Sequence, residues 1–372
     1  MDHGLMIEPT GSGKSIILAG IIDRLKQPTL VFQPSKEILD QNYTKLVSYG
    51  YQPKVYSASA GRKETGGDIT LATIGSVVNK PELFRHMKYV LVDECDMVNA
   101  KNAGSMFMKF FSQLPDIRII GLTATPYRLV TDGFGGSILK FLTRTRPRVF
   151  KHVVHITQNG ELFQKGYLAK LEYKEVKTGF DEGRLRLNST GADYTDESVR
   201  RHFKELNFSD KIVRCINRLG ELNRRGALVF TRFVEEAEYV ASKVPGAAIV
   251  SAKTPPQERE QIIAGFRSGK IPVVTNVGVL SIGFDYPELA NVILARPTMS
   301  LRLYYQQVGR GVRPHPNKKE TFIIDMVGLV KKFGRVENLH VHEEQAGTGK
   351  WIVTGDPGQL TNIYYGEKGQ PQ

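Results

Sequence analysis

Apolar residues in this chain recur in two rhythms: short runs of three to five, and longer stretches with helical spacing between them. Leu5-Met6-Ile7 leads into the glycine-rich turn Glu8 to Ser15, which opens the apolar stretch Ile16 to Ile22. That order predicts strand, loop, helix. Thr29 to Phe32, bounded by Pro28 and Pro34, predicts a buried parallel strand. Ser35 then caps a helix in which Ile38, Leu39, Tyr43 and Leu46 recur at near-helical spacing, with Gly50 as its stop. Val55-Tyr56, Ile69 to Thr73, Tyr89 to Val92 and Arg118 to Leu122 predict further strands, and Ala60 to Lys63 an exposed basic loop. Repeated strand and helix of this length imply a parallel sheet covered on both faces.

From Gly133 to about Arg225 the pattern blurs. Arg144, Arg146, Arg148 and Lys151 form a basic run, Glu172 to Thr178 alternates like an edge strand, and polar Gly179 to Tyr194 predicts a mobile loop or hairpin tip. Helical spacing returns at Glu197 to Leu206 and Asp210 to Leu222. A second series then predicts strands at Ala227 to Phe230, Ala248 to Val250, Ile271 to Val274, Asn291 to Leu294 and Thr321 to Asp325, with helices at Val234 to Val244 and Pro256 to Phe266. The division expected is a first domain over 1–145, an interdomain region over 146–209, a second domain over 210–342 and a peripheral or loosely ordered extension over 343–372.

Composition sharpens this only in part. The 372 residues suffice for two ordinary domains, and 41% hydrophobic with 24% charged residues describe a soluble globular protein. No apolar run approaches the roughly 20 residues of a membrane span, and Met1 to Ile7 lacks the features of a signal peptide. Cys95 and Cys215 cannot form a zinc site by themselves and are too few for a disulfide scaffold, so a reducing cytosol fits best. A net charge of +13 favours an acidic partner, nucleic acid before others.

Candidate chemistry concentrates at strand ends. Gly11 and Gly13 let backbone N–H groups approach a polyphosphate, and the following helix N-terminus adds partial positive charge. Lys14 would reach the β- and γ-phosphates and the Ser15 hydroxyl would ligate Mg²⁺. Glu8 stands where the strict P-loop pattern has glycine, which makes this a variant loop. Asp93 and Glu94 follow a strand directly and so face the same crevice. Asp93 is placed to hold Mg²⁺, directly or through water, and Glu94 to orient or deprotonate an attacking water. Thr123 and Thr125 lie on one side of an extended segment, within reach of the acids.

The second series has no glycine-rich Lys-Ser loop and should not bind a nucleotide by itself. Ser281 to Pro287 and Gln306 to Arg313 instead suit a ligand held elsewhere. If Gly309 and Gly311 flank a helix start or turn, Arg310 and Arg313 can point into one site and neutralise charge during phosphoryl transfer.

Together Pro9 to Ser15, Asp93 to Asp96, Thr123 to Pro126, Gly283-Phe284-Asp285 and Gln306 to Arg313 resemble motifs I, II, III, V and VI of superfamily 2 helicases. Within them, Val92 to Cys95, Gly121 to Pro126 and Tyr305 to Gly311 are most similar to bacterial RadD-type DNA repair helicases and related phage helicases. The resemblance implies an α/β fold of two tandem RecA-like domains, with ATP in the cleft between them. It implies nucleotide binding by Pro9, Thr10, Gly11, Ser12, Gly13, Lys14, Ser15, Gly283 and Asp285, and coupling of hydrolysis to movement by Thr123, Ala124 and Thr125. Gln306, Arg310 and Arg313 would join Lys14, Asp93 and Glu94 in catalysis, with Mg²⁺ on Ser15 and Asp93. Pro34, Ser35, Lys36, Thr73, Ser76, Thr231, Arg232, Thr275 and Asn276 would grip a phosphodiester backbone.

The implied function is an ATP-dependent motor on nucleic acid, DNA favoured over RNA, serving repair, recombination or replication with proteins of those pathways as partners. A translocase or annealing motor that does not unwind, and a nucleotide-gated scaffold with little turnover, stand as alternatives. Three departures accompany the resemblance. Only Met1 to Ile7 precede Glu8, so the glutamine-bearing segment that recognises adenine is missing; either the true start lies upstream or base recognition is weak. Asp96 replaces a histidine, and the cysteine-ligated zinc segment of some relatives is absent.

Overall fold

The computed structural model describes residues 3–100, 102–131, 136–224, 226–279 and 286–365. The chain divides into two compact units: Met1–Arg128 with Lys140–Gln158 and Val341–Val353, and Leu129–Leu139 with Asn159–His340 and Thr354–Gln372. Among the described residues no helix is long and apolar enough to cross a membrane.

Up to residue 156 the elements are β1 (Gly4–Ile7), α1 (Lys14–Leu25), β2 (Thr29–Phe32), α2 (Lys36–Ser48), β3 (Lys54–Ser57), β4 (Arg62–Lys63), β5 (Ile69–Ala72), α3 (Ile74–Val77), β6 (Tyr89–Asp93), α4 (Met106–Ser112), β7 (Arg118–Thr123), β8 (Tyr127–Thr131), β9 (Ser137–Phe141) and β10 (His152–Ile156). Eight of these strands form one sheet in the order β10-β1-β7-β6-β2-β5-β3-β4. Its pairings are parallel except for β4, which turns back on β3, so the loop expected at Ala60 to Lys63 is a short hairpin.

Burial on both faces explains why these strands read as continuous apolar runs. On one face Leu18, Ala19 and Ile22 of α1 and Leu39 and Leu46 of α2 pack with Val31, Val55, Leu71, Leu91 and Leu122 of the sheet. The other face is aromatic: Phe32 meets Phe107 and Phe110 of α4 edge to face, at centroid distances of 5.6 and 5.3 Å. Ser35 accepts the Ile38 N–H at 3.4 Å, the predicted cap of α2.

The second unit contains α5 (Asn159–Gln164), β11 (Leu171–Glu175), α6 (Asp196–Glu205), α7 (Phe208–Glu221), β12 (Ala227–Phe230), α8 (Val234–Lys243), β13 (Ala248–Ser251), α9 (Pro256–Arg267), β14 (Val273–Val277), β15 (Asn291–Leu294), α10 (Leu301–Val308), β16 (Thr321–Asp325) and α11 (Leu329–Phe333). Its six-stranded sheet runs β11-β16-β15-β12-β14-β13, with every pairing parallel. The chain is thus α/β, two tandem parallel sheets flanked by helices.

Several expectations change here. The stretch 146–209 is divided between the units: β10 extends the first sheet and β11 is an edge strand of the second. The segment from Gly179 to Tyr194 is tied down, with a bridge between Leu187 and Tyr194 and the Asp193 carboxylate accepting the Met299 N–H at 3.1 Å. Asp193 is committed inside the protein, while Asp181, Arg184, Arg186, Ser189 and Thr190 stay exposed. The extension after 343 is built into the fold as well, burying Ile352, Val353 and Leu360.

Gly121 of β7 lies against the side chains of Cys95 and Phe150, which leave no room for a Cβ. A Cβ there would lie 2.6 Å from both Cys95 Sγ and Phe150 Cε1. Gly121→Ala should therefore destabilise the first unit by about 1–3 kcal/mol through overpacking, read as a lower urea midpoint with an unchanged slope.

Candidate nucleotide site

Strand order brings the first-unit motifs together. β1, β7 and β6 are neighbours, and Ile7 pairs with Thr123 while Asp93 pairs with Leu122. The glycine loop, the threonine pair and the acids therefore leave three adjacent carboxyl ends. The Glu8 N–H donates to the Thr123 carbonyl at 2.9 Å, continuing the β1–β7 ladder one residue past the strand.

Gly11 and Gly13 adopt φ of 86° and 84°, the left-handed conformation that glycine takes without strain. Gly13 is the N-cap of α1, and the Ser12 N–H donates to the Pro9 carbonyl at 3.1 Å. Lys14 and Ser15, in the first turn, sit at the positive end of the helix. Glu8, the residue in place of glycine, is fully buried at the root of the loop and accepts the Thr157 hydroxyl at 3.0 Å. Burial raises its pKa, against the Thr157 hydrogen bond and the nearby His155 and Lys14 charges.

Lys14 Nζ lies 2.6 Å from Glu94 Oε1, with the two side chains only 17% and 15% exposed. Glu94 has φ 53°, unusual for a residue with a side chain, and its N–H donates to Asp93 Oδ1 at 3.0 Å. Such a conformation costs on the order of 1 kcal/mol or more and is concentrated at functional sites. No local sequence signal announces it. Asp93 is buried, and burial pushes its carboxyl from 3.8 up to about 6; Lys14 opposes that shift and Glu94 adds to it. Asp93 supplies a buried carboxylate and Ser15 a hydroxyl from the first turn of α1, the oxygen donors that a divalent cation takes. Mg²⁺ fits these residues.

Thr123 Oγ1 donates to Asp96 Oδ1 at 3.0 Å and lies 3.4 Å from Thr125 Oγ1. It also accepts the Thr125 N–H at 3.0 Å. The predicted reach from threonines to acids is therefore met by Asp96, the acid standing where a histidine was expected, while Asp93 and Glu94 face Lys14. Ala124 lies between the two hydroxyls, half-buried.

In the second unit Gln306 is 8% exposed near the end of α10, and Arg310 Nε donates to its carbonyl at 3.2 Å. Gly309 caps the end of α10, so Arg310 and Arg313 follow a helix rather than opening one. Gly311 has a packing reason: its carbonyl accepts the Thr321 hydroxyl at 2.7 Å, and a Cβ would meet Thr321 Cγ2 at 2.5 Å. That contact fixes the arginine-bearing turn on β16. Gly283, Phe284 and Asp285 lie outside the described residues.

The expected nucleic-acid contacts separate by unit. Pro34, Ser35 and Lys36 follow β2, and Thr73 and Ser76 follow its neighbour β5, so these five gather at adjacent strand ends. Hydroxyls of Ser57, Thr73 and Ser76 form a chain with spacings of 3.0 and 2.9 Å. In the second unit Thr231, Thr275 and Asn276 are fully buried. Arg232, 8% exposed at its side chain, is spent on Asp193, Asp196 and the carbonyls of Tyr194 and Pro297. The Thr231 hydroxyl donates to the Phe233 carbonyl, the Thr275 hydroxyl to the Ala248 carbonyl, and Asn276 Oδ1 accepts the Val279 N–H, so all four side chains have partners within the second unit.

The chain matches two family models, type III restriction enzyme, res subunit, over residues 1–128 and helicase conserved C-terminal domain over residues 210–315. It is 27% identical over 341 residues to the 51.5 kDa protein of a Lactococcus phage, covering 90% of this chain and 66% of that one. It is 22% identical to the putative ATP-dependent helicase IRC3 of Saccharomyces cerevisiae (86% and 47% covered) and 24% to the DNA 3'-5' translocase XPB2 of Sulfurisphaera tokodaii (87% and 77%). A fragment of a putative HsdR subunit of a type I restriction enzyme from Vibrio vulnificus shares the fold, at a TM-score of 0.63, 18% identity and coverage of 90% and 62%. The fold is that of two RecA-like domains, and the chain belongs to helicase superfamily 2. It spans 66% of the phage protein and about half of the yeast one. The names of these relatives do not confirm a particular likeness to the RadD type.

The raised pKa of Asp93 sets a pH dependence. Wild type carries no penalty from this group below about pH 3.8, and a growing one as ionisation is forced through pH 6. Asp93→Asn should therefore raise nucleotide-free stability at pH 7.5 by on the order of 1–3 kcal/mol, and by nothing near pH 3.5. Urea unfolding at the two pH values reads the difference.

Proposed function

We propose that the chain is an ATP-driven motor that translocates on and unwinds or remodels DNA, in repair, recombination or replication. The observation that carries this reading is the convergence of Lys14, Glu94, buried Asp93 and the Thr123–Asp96 hydrogen bond at three neighbouring strand ends. A binding scaffold has no use for a strained glutamate beside a phosphate-loop lysine.

Pro9 to Ser15 cradle the triphosphate. A phosphate arriving at the loop competes with Glu94 for Lys14, and the freed Glu94 carboxylate then orients or deprotonates the attacking water. Ser15 and Asp93 would hold Mg²⁺, which when bound neutralises phosphate charge. Thr123 connects this centre through Asp96 to the loop after β7, the path by which hydrolysis is coupled to movement. Gln306, Arg310 and Arg313, with Gly283 and Asp285, act on the same nucleotide from the second domain, the arginines stabilising transferred charge. Pro34, Ser35, Lys36, Thr73 and Ser76 hold the backbone of one strand. Hydroxyls and a lysine suit grip without sequence preference. The DNA translocase named among the relatives supports DNA over RNA and gives translocation without strand separation equal standing with unwinding. Strand displacement on a forked duplex decides between them.

Steady-state ATP hydrolysis measured with no polymer, single-stranded DNA, forked DNA and RNA tests the proposal. DNA should stimulate turnover more than RNA; Glu94→Gln should abolish it; Arg313→Ala should lower it at least about a hundredfold while DNA binding persists. Equal turnover in wild type and Arg313→Ala would remove the second domain from the reaction. Hydrolysis that no polymer stimulates would remove the motor.

A further inference from the structure

A groove of about 470 Å³ lies in the second unit, away from every residue given a role above. Its floor combines Val176, Phe322 and Ile324 from the β11–β16 edge of the sheet with Leu219 and Leu222 of the α7 segment. The register explains the surface. Lys174 pairs with Ile324 and Glu172 with Phe322, so alternate residues of the two strands share one face, while Tyr173 points to the other and bonds Glu337. Along α7, Lys211, Arg214, Cys215, Arg218, Leu219 and Leu222 recur at helical spacing and form the facing wall. Leu222 remains 51% exposed at the lip.

Charge on the rim is of one sign. Lys174, Lys177, Lys211, Arg214 and Arg218 line the groove, and no acid does among the described residues. Three of these cations have partners: Lys174 with Glu172 at 3.0 Å, Arg218 with Glu221 at 2.6 Å, and Lys211 with the Thr178 carbonyl. Lys177 and Arg214, both exposed, make no ion pair among the described residues. They stand beside an apolar floor with no carboxylate paired to them among the described residues.

We propose that this groove is a docking site for an acidic peptide segment of a partner protein, one in which aspartates or glutamates flank leucine, isoleucine or phenylalanine. Apolar side chains would enter the floor while carboxylates meet Lys177 and Arg214. Because β11 ends the sheet, its free edge also offers main-chain hydrogen bonds to an extended peptide. Single-stranded nucleic acid fits less well. Its bases need an open aromatic face, and the one ring in the floor, Phe322, has Lys174 at 5.0 Å and Arg224 at 3.4 Å over it. The remaining floor is aliphatic.

The test uses the full chain and a short labelled peptide in which aspartates alternate with leucine and phenylalanine, followed by fluorescence anisotropy. Its asparagine counterpart and an oligothymidylate are the comparisons. The acidic peptide should bind, the asparagine peptide should bind at least about tenfold more weakly, and Lys177→Glu with Arg214→Glu should weaken the acidic peptide by a similar factor. Leu222→Asp should do the same, with ATP hydrolysis unchanged in all variants as the check on folding. Cys215 lines the groove and Cys95 is buried, so bound peptide should also slow alkylation of Cys215. Peptide affinity untouched by these substitutions, binding that leaves Cys215 unprotected, or loss of oligothymidylate binding without loss of peptide binding would each overturn the assignment.

Discussion

The ion pair between Lys14 and Glu94, 2.6 Å long and largely withdrawn from water, is the contact on which the first unit's chemistry depends. It joins the glycine loop after β1 to the acid after β6 across the intervening strand β7. In that position Lys14 has two possible anionic partners, the Glu94 carboxylate and an incoming phosphate. In the proposed reaction the ion pair keeps the lysine oriented before nucleotide arrives. Glu94 takes a left-handed backbone conformation to reach this place, so backbone strain gathers on the acid side of the contact while the loop glycines reach theirs without it.

Around it the sheet supplies rigidity and the buried acids supply sensitivity to charge. Asp93 lies deep enough for its proton to be held to about pH 6, so the arrival of a cation and the loss of that proton favour one another. Asp96 accepts the Thr123 hydroxyl, and its charge adds to the upward shift of Asp93. Neighbouring acids consequently do different work: Glu94 holds the lysine, Asp93 suits a metal, and Asp96 connects to the next strand end.

Much of this was legible because parallel sheets impose continuous apolar runs and place ligands at strand ends. Thr29 to Phe32, Tyr89 to Val92 and Ala227 to Phe230 announce themselves as strands, and the motifs between them follow. Side-chain commitments were less legible. Arg232 follows a strand end with the sequence look of a backbone-binding residue, yet Asp193 and Asp196, far away in the chain, consume its guanidinium. The Gly179 to Tyr194 segment looked mobile because it is polar and contains glycine; Asp193 and the Tyr194 carbonyl anchor it to Met299 and Arg232. Glu8 resembled a departure from a loop pattern, whereas its carboxylate is buried below the loop against Thr157. In each case the deciding contact joins residues distant in sequence, beyond the reach of periodicity or spacing.

The measurement that bears most directly on this account is the equilibrium affinity for a non-hydrolysable ATP analogue with Mg²⁺, compared among wild type, Lys14→Ala and Glu94→Gln. If Lys14 passes from Glu94 to phosphate, Lys14→Ala should lose at least about a hundredfold in affinity, of the size expected for a buried charge-assisted contact. Glu94→Gln, with the competing carboxylate neutralised, should bind as tightly as wild type or more so. Unchanged affinity in Lys14→Ala, or binding lost in Glu94→Gln, would contradict the exchange and with it the nucleotide site.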